Sequence, residues 1–387
     1  MSFTEIVETA RGPSLWRPEH VAAVALREDM VPPCIGAQDV VPVLPGLDVW
    51  DMWPLARRDG VAVKLEGATL WFALAAPRFP DPIERHGHAR IRLLILRDGT
   101  WHDGGPVFED GFAPGSRDWS GSAILDEESG CVTLFFTAAG RSGEARLTVE
   151  QRLFCTSGTL DLSGAYPRIR QWSAPREFVV SDDRIYTLAD QAEGAPGELK
   201  AFRDPGYFRD PADGGEYVLF AASYKPSSHK NNGMIGIARS EDRSMKRWTL
   251  LNPLITADGV CNELERPHAV AYGGRYYVFW STQASVFEQG GPVGPTGLYG
   301  MVAPSLFGPY RPINGSGLVL ANPPSEPSQA YSWWVMGDLS VTSFIDYWGL
   351  RGRLLADHPE LIRSQFGGAP APFLQLCLND DRAWLAT

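Results

Sequence analysis

Four short polar motifs recur along this chain, each followed about 8–12 residues later by a turn and an apolar, strand-forming run. They are Val49-Trp50-Asp51-Met52-Trp53-Pro54, Asp118-Trp119-Ser120-Gly121-Ser122, Phe202-Arg203-Asp204-Pro205 and Glu263-Leu264-Glu265-Arg266-Pro267. Three of the segments superpose. Trp119–Leu125 runs into Ser129-Gly130 and then Cys131–Thr137, Asp204–Phe208 runs into Asp213-Gly214-Gly215 and then Tyr217–Ala222, and Arg266–Val270 runs into Gly273-Gly274 and then Tyr276–Ser281. A weaker copy starts at Asp51 and turns at Asp59-Gly60. Each copy reads as an inner strand, a hairpin and a second strand. One such unit cannot bury its own apolar faces, but several arranged radially can, and the result is a β-propeller whose inner strands border a central channel. A motif at the same place in every blade then converges on the axis. In a β-sandwich, the alternative architecture, similar hairpins would scatter the motifs.

The rest of the chain agrees with an all-β reading. Gly 40 and Pro 31 suit many short strands joined by turns. Further strands are expected at Thr69–Ala75, Arg90–Leu96, Arg146–Phe154, Met234–Ala238, Leu298–Val302, Val341–Ile345 and Phe373–Leu378, with one helix near Pro18 to Arg27. No low-complexity linker divides the chain, so residues 1–387 are expected to form a single catalytic domain, with 1–45 as an N-terminal extension packed on the propeller.

Composition excludes several function classes. The formal net charge of −11 makes nucleic acid and anionic membrane surfaces poor partners. No run approaches the length and apolarity of a membrane span. The start of the chain lacks a basic region followed by an apolar run, so no secretory signal is recognisable. Cys34, Cys131, Cys155, Cys261 and Cys377 form no CxxC pair and read as free thiols. The histidines His86, His88, His102 and His268 show no metal-ligand spacing, and His86-x-His88 reads as an exposed loop. No Gly-rich phosphate loop joins a strand to a helix. Neither a cofactor nor a metal is therefore expected.

The motifs carry the reagents for chemistry at a glycosidic carbon, which needs one carboxylate to attack or stabilise the anomeric centre and a second carboxyl group to protonate the leaving oxygen. Asp51 stands in apolar, aromatic text. Glu263 and Glu265 are two apart, so on a strand both face one cavity, with Arg266 beside them. Arg203-Asp204 reads as an ion pair or as ligands for vicinal hydroxyls, and Ser120 as a hydrogen-bonding partner of the nucleophile or a backbone cap. Trp50 and Trp119, inside the motifs, are the tryptophans placed to stack on a sugar ring.

At these residues the chain resembles the levansucrase and fructosyltransferase family, glycoside hydrolase family 68, from about Trp50 to Cys377. The family's Val-Trp-Asp-x-Trp-Pro, Trp-Ser-Gly-Ser, Arg-Asp-Pro and Glu-x-Glu-Arg boxes stand here in order, and Phe307–Asn314 and Gly317–Leu320 match as well. The resemblance implies a five-bladed propeller with a deep axial pocket. It implies Asp51 as nucleophile, Asp204 as transition-state stabiliser and Glu265 as general acid/base, with Trp50, Trp119, Ser120, Arg203, Glu263, Arg266 and Tyr331 lining a sucrose pocket. Two departures bear on the outcome. Gln283 stands where many long-chain polymer makers carry a basic residue, which favours hydrolysis and short fructo-oligosaccharides. Asn262 stands where calcium-dependent members carry an acid, and one charge fewer lowers affinity for a hard dication, so no structural calcium is expected.

The function implied is a retaining β-fructosyltransferase that passes the fructosyl unit of sucrose to water or to sugar acceptors. A mainly hydrolytic β-fructofuranosidase and a non-catalytic sugar-binding propeller are the alternatives. The resemblance also implies secretion or a periplasmic location, with a cytoplasmic location as the alternative.

Overall fold

The computed structural model describes residues 12–164, 166–194 and 198–386. Its strands form antiparallel blades of four strand positions each, ordered along the chain from the axis outward. Blade I comprises Leu47–Ala56, Ala68–Pro77, Arg90–Arg97 and Thr100–Pro106. Blade II comprises Arg117–Asp126, Cys131–Ala139 and Gln151–Asp161, with Arg168–Arg170 and Arg176–Val179 sharing the outer edge. Blade III comprises Phe202–Arg209, Glu216–Ser223 and Gly233–Ser240, edged by Trp248–Leu250 and Ile255–Thr256. Blade IV comprises Glu265–Tyr272, Arg275–Thr282 and Gly297–Ala303, edged by Arg311–Pro312 and Leu318–Ala321. Blade V comprises Ala330–Val335 and Ser340–Tyr347, a third position split into Phe366–Pro370 and Leu374–Asn379, and Arg382–Leu385. Each innermost strand packs on the innermost strand of the next blade, and that of blade V packs back on that of blade I. The ring is closed, and the fold is a five-bladed β-propeller.

The second strands explain why the blades stack. Glu216–Ser223 is buried along its whole length. Arg275–Thr282 carries the continuous run Tyr276 to Thr282, buried likewise. A strand covered on both faces reads as an unbroken apolar run, and such strands are sandwiched between neighbouring blades.

The N-terminal segment is tied to the ring. Ser14–Leu15 pairs in parallel with Ile255–Thr256. Trp16 is buried, donates from Nε1 to the Ser316 carbonyl at 2.9 Å, and packs edge-on against Trp280 at 5.3 Å. The expected helix is shorter than its pattern. It covers Pro18–Ala22, and Val21 is its only buried side chain. Leu26 points to solvent, so nothing holds further turns against the core. The strand expected at Arg146–Phe154 runs instead over Gln151–Asp161, in register with Cys131–Ala139. Val149 N donates to the Gln191 carbonyl, in a loop rather than in the ladder.

Candidate active site

The motifs sit where each innermost strand breaks register. Between Trp50 and Trp53, Asp51 and Met52 oppose one residue of the neighbouring strand. The same interruption falls between Arg203 and Gly206, between Glu265 and His268, and between Tyr331 and Trp334, and blade II breaks between Trp119 and Gly121. These are β-bulges, which re-aim a side chain at the cost of a ladder hydrogen bond. The first bulged residue lies in the left-handed region in four blades: Asp51 (φ 48°), Asp204 (φ 61°), Arg266 (φ 50°) and Ser332 (φ 62°). For residues with a Cβ that conformation costs about 1–3 kcal/mol each and clusters at functional sites. The repeat seen in the sequence is thus a repeat of backbone geometry. It turns Asp51, Ser120, Asp204, Arg266 and Ser332 toward one place at the channel end.

The carboxylates there are held by a lattice of hydrogen bonds. Asp204 accepts from Ser120 Oγ at 2.7 Å and from the Arg266 amide at 3.2 Å, while its own amide donates to Thr137 Oγ1 at 2.9 Å. Glu265 accepts from Arg203 Nη2 at 2.8 Å and from the Tyr331 hydroxyl. Arg203 also lies 3.5 Å from Glu263 and 3.6 Å from Asp204, so one guanidinium serves three carboxylates. Arg266 donates to the Met52 carbonyl at 2.6 Å, and to the carbonyl and hydroxyl of Ser332 at 2.8 Å each.

Electrostatics set Asp51 apart. Burial raises its pKa to about 6; Arg266 and the Ser332 hydroxyl oppose the rise, and the charges of Glu265 and Asp204 add to it. The three carboxylates therefore share one field. Asp204 is also raised, chiefly by burial, with Arg203 opposing. Burial disfavours the charge of Arg203, but Glu263, Glu265 and Asp204 outweigh it and raise its pKa.

Aromatic groups flank the motifs. Trp50 is buried with the Arg85 guanidinium 5.3 Å from its ring centre and His86 edge-on at 6.0 Å. Trp119 is half-buried. Trp119 Nε1 and Arg203 Nη1 donate to no protein atom, which in Arg203 leaves a donor unspent beside the carboxylates. Gln283 follows the strand that pairs with Glu265, and its Oε1 accepts from Ser285 at 3.4 Å. Its recorded hydrogen bond is thus to its own loop rather than to the carboxylates. Asn262, buried three residues before Glu265, donates to the Leu199 carbonyl at 2.8 Å. Among the described residues no group of three or more His, Cys, Asp or Glu is arranged to hold a metal, and the cysteines are free.

Several residues of this site escape sequence reasoning. Ser332 belongs to a fifth copy of the repeat, Tyr331-Ser332-Trp333-Trp334, followed by the turn near Gly337-Asp338 and the strand Ser340–Tyr347. The turn was a usable signal. Without a carboxylate the copy lacked the polar signature of the others. Arg85 and Asp346 carry no such signal. Burial raises the pKa of Asp346 to about 7, with Arg85 opposing and Asp51 adding, so it shares the field of the site. Arg85 lies in the short 3-10 segment Pro82–His88, which the tertiary fold lays against Trp50. His86 and His88 are exposed as expected, but in this 3-10 segment rather than in an irregular loop, and the His88 ring lies tilted against Phe79 at 4.8 Å.

A closed five-bladed propeller with acids and arginines gathered at one end of its axis holds the groups that chemistry at a glycosidic carbon requires. Comparison with known proteins places it more narrowly. The family model described as Levansucrase/Invertase, glycoside hydrolase family 68, matches residues 27–232 and 225–385, and the chain belongs to that family. A levansucrase of Pseudomonas savastanoi pv. glycinea is 33% identical, with 87% of this chain and 85% of the relative covered. A levansucrase of Erwinia amylovora is similar to the same degree, 33% identical with 87% and 85% covered. Among solved structures, an inulosucrase from Halalkalicoccus jeotgali bound to kestose superposes with a TM-score of 0.88 at 39% identity, covering 97% of this chain and 95% of the other. The levansucrase from Gluconacetobacter diazotrophicus shares the fold, with a TM-score of 0.82 at 24% identity and 98% and 91% coverage.

Proposed function

We propose that this protein is a sucrose-active β-fructosyltransferase, a single catalytic propeller in which Asp51, Glu265 and Asp204 carry the chemistry. The observation that carries the reading is the convergence of these three carboxylates, from three blades, around Arg203 and Arg266. Family membership and the levansucrase and inulosucrase relatives support sucrose as donor.

The Asp51 carboxylate attacks the anomeric carbon of the fructosyl unit. The bond to the glucosyl oxygen breaks, and Glu265 gives that oxygen its proton, so glucose leaves and a fructosyl ester on Asp51 remains. An incoming hydroxyl, of water or of a sugar, then loses its proton to Glu265 and attacks the same carbon. The ester bond breaks and Asp51 is regenerated. Two inversions give net retention. Asp204 accepts sugar hydroxyls, an interaction that strengthens as the ring flattens toward the oxocarbenium-like transition state. Trp50, Trp119, Ser120, Glu263 and Tyr331 line the donor pocket. Gln283 offers growing chains no cation, so hydrolysis and short fructo-oligosaccharides are the expected products.

The test is product balance from sucrose alone. Free fructose below free glucose demonstrates transfer, and equal release marks a hydrolase. Release of neither sugar overturns the reading.

A further inference from the structure

The segment carrying Arg203 and Asp204 and the segment carrying Glu263 and Glu265 belong to different blades. Asn262 Nδ2 links them by donating to the Leu199 carbonyl at 2.8 Å, and an ammonium group lies at the same junction. Lys200 Nζ donates to the Lys230 carbonyl at 2.6 Å and to Asn232 Oδ1 at 2.7 Å, and lies 3.5 Å from Asn262 Oδ1. None of these oxygens carries a charge. The neighbouring lysines behave otherwise: Lys225 pairs with Asp183 and Lys230 with Glu198, both at the surface.

The cage around Lys200 is built and rigid. Asn232 and Asn262 are buried. Asn232 Nδ2 donates to the Tyr224 carbonyl at 2.8 Å, and Asn262 Nδ2 to the Leu199 carbonyl at 2.8 Å, so both amides are oriented with oxygen toward the ammonium. The backbone around Lys200 is pinned to blade II. Gln151 Nε2 donates to the Lys200 carbonyl at 3.0 Å, and Gln151 Oε1 accepts from Phe202 N at 3.1 Å. The lysine side chain then reaches from this anchored segment, which leads into the strand Phe202–Arg209, toward the loop that precedes Glu265. Removing its charge would leave oxygens facing one another with no shared donor, and buried polar groups left unsatisfied are costly.

We propose that Lys200 is a positioning residue, a half-buried cation that clamps residues 199–204 to residues 262–265 and so holds Asp204 and Glu265 in register across one sugar. The clamp rests on the reading of these two acids as catalytic. It acts through them, four residues up the chain to Asp204 on one side and three to Glu265 on the other.

The test compares Lys200→Ala, Lys200→Met and Lys200→Arg with the parent, reading kcat, KM and Tm. Displacement of reacting groups by about 1 Å costs up to roughly a hundredfold, so kcat of Lys200→Ala is expected to fall roughly tenfold to a hundredfold with a smaller change in KM. Added n-propylammonium, which replaces the missing carbons and charge, restores kcat, whereas n-propanol, of similar shape and no charge, does not. Parent-like kcat in Lys200→Ala overturns the proposal, as does equal rescue by amine and alcohol, or no rescue of a folded variant. Should Lys200→Ala not fold, the pair Lys200→Met and Lys200→Arg decides: higher kcat in the charged variant supports the clamp, and equal kcat removes it. Glucose release by the parent, measured in the same assay, keeps the two readings apart. Its absence counts against the function, whereas the Lys200 outcomes bear on the clamp alone.

Discussion

The innermost strands of the propeller meet twice along the channel, and the two meetings differ in kind. At the bulged end they present Asp51, Asp204, Glu265, Arg203 and Arg266. A few residues further along, the same strands border a small cavity of about 30 Å³ lined by groups such as Ile124, Tyr207, Val270, Trp334 and Val335. His268 lies there, stacked at 4.4 Å on Trp334, its ring nitrogens engaged by the Arg266 carbonyl and the Val335 amide. At this far end His268 spends both ring nitrogens on backbone groups. The bulged end keeps acids crowded, a donor unspent and backbone in the left-handed region. Strain and like charge are collected where a substrate would relieve them, and ordinary packing elsewhere sustains the ring.

The sharpest way to break this contrast is Asp51→Asn. Loss of a nucleophile is expected to lower kcat on the order of 10⁴-fold or more. The same change should stabilise the protein. Asp51's folded pKa of about 6 lies above its ordinary 3.8, so the fold binds the proton more tightly than the unfolded chain. That advantage is whole below the unfolded value and is lost as pH rises through about 6, leaving a charged carboxylate that costs about 3 kcal/mol at neutral pH. A raised Tm alongside lost turnover is the expected result, and a lowered Tm would contradict the strain account. Glu265→Gln, which keeps the shape and removes the proton, is expected to lower kcat on sucrose by about 10²–10⁴-fold.

Acid should act on the bulged end through Asp51. Protonation of Asp51 removes the nucleophile, so kcat/KM is expected to fall about tenfold per pH unit below its pKa of about 6, read from initial rates at sub-saturating sucrose. Ser332→Ala removes the hydroxyl that bonds Arg266 and Asp51, and about a tenfold loss in kcat/KM should follow. The smallest effect on catalysis belongs to the far end. Val270→Ala opens a buried site and should destabilise by about 1–3 kcal/mol, seen in denaturant titration, with kcat unchanged. A large kcat change there would mean that the two ends are coupled.

The repeat was legible because each copy must spell the same local geometry. A bulge followed by a hairpin needs a polar residue free to leave the ladder, an apolar run, and a Gly- or Asp-rich turn, and all three leave marks at fixed spacing in the chain. For the same reason Asp51, Asp204, Glu265 and the groups beside them could be singled out from residues alone, and the family's boxes stand in the order of the blades. The fifth copy was missed because Ser332 is a plain hydroxyl, and a serine before two tryptophans does not announce a bulge.

Contacts between blades lie beyond any local pattern. Arg266 meets the Met52 carbonyl across 214 residues, Tyr331 meets Glu265 across 66, and Lys200 meets Asn262 across 62. Such pairs depend on how the ring closes, through the packing of blade V on blade I. The sequence by itself determined the repeating unit and the chemical kinds of group it would deliver, because strand, bulge and turn are set by near neighbours. Only the tertiary structure decided which guanidinium serves which carboxylate, how far burial lifts Asp51, and that a lysine ammonium bridges two segments of the site, because long-range charge and burial exist only once distant blades share one axis.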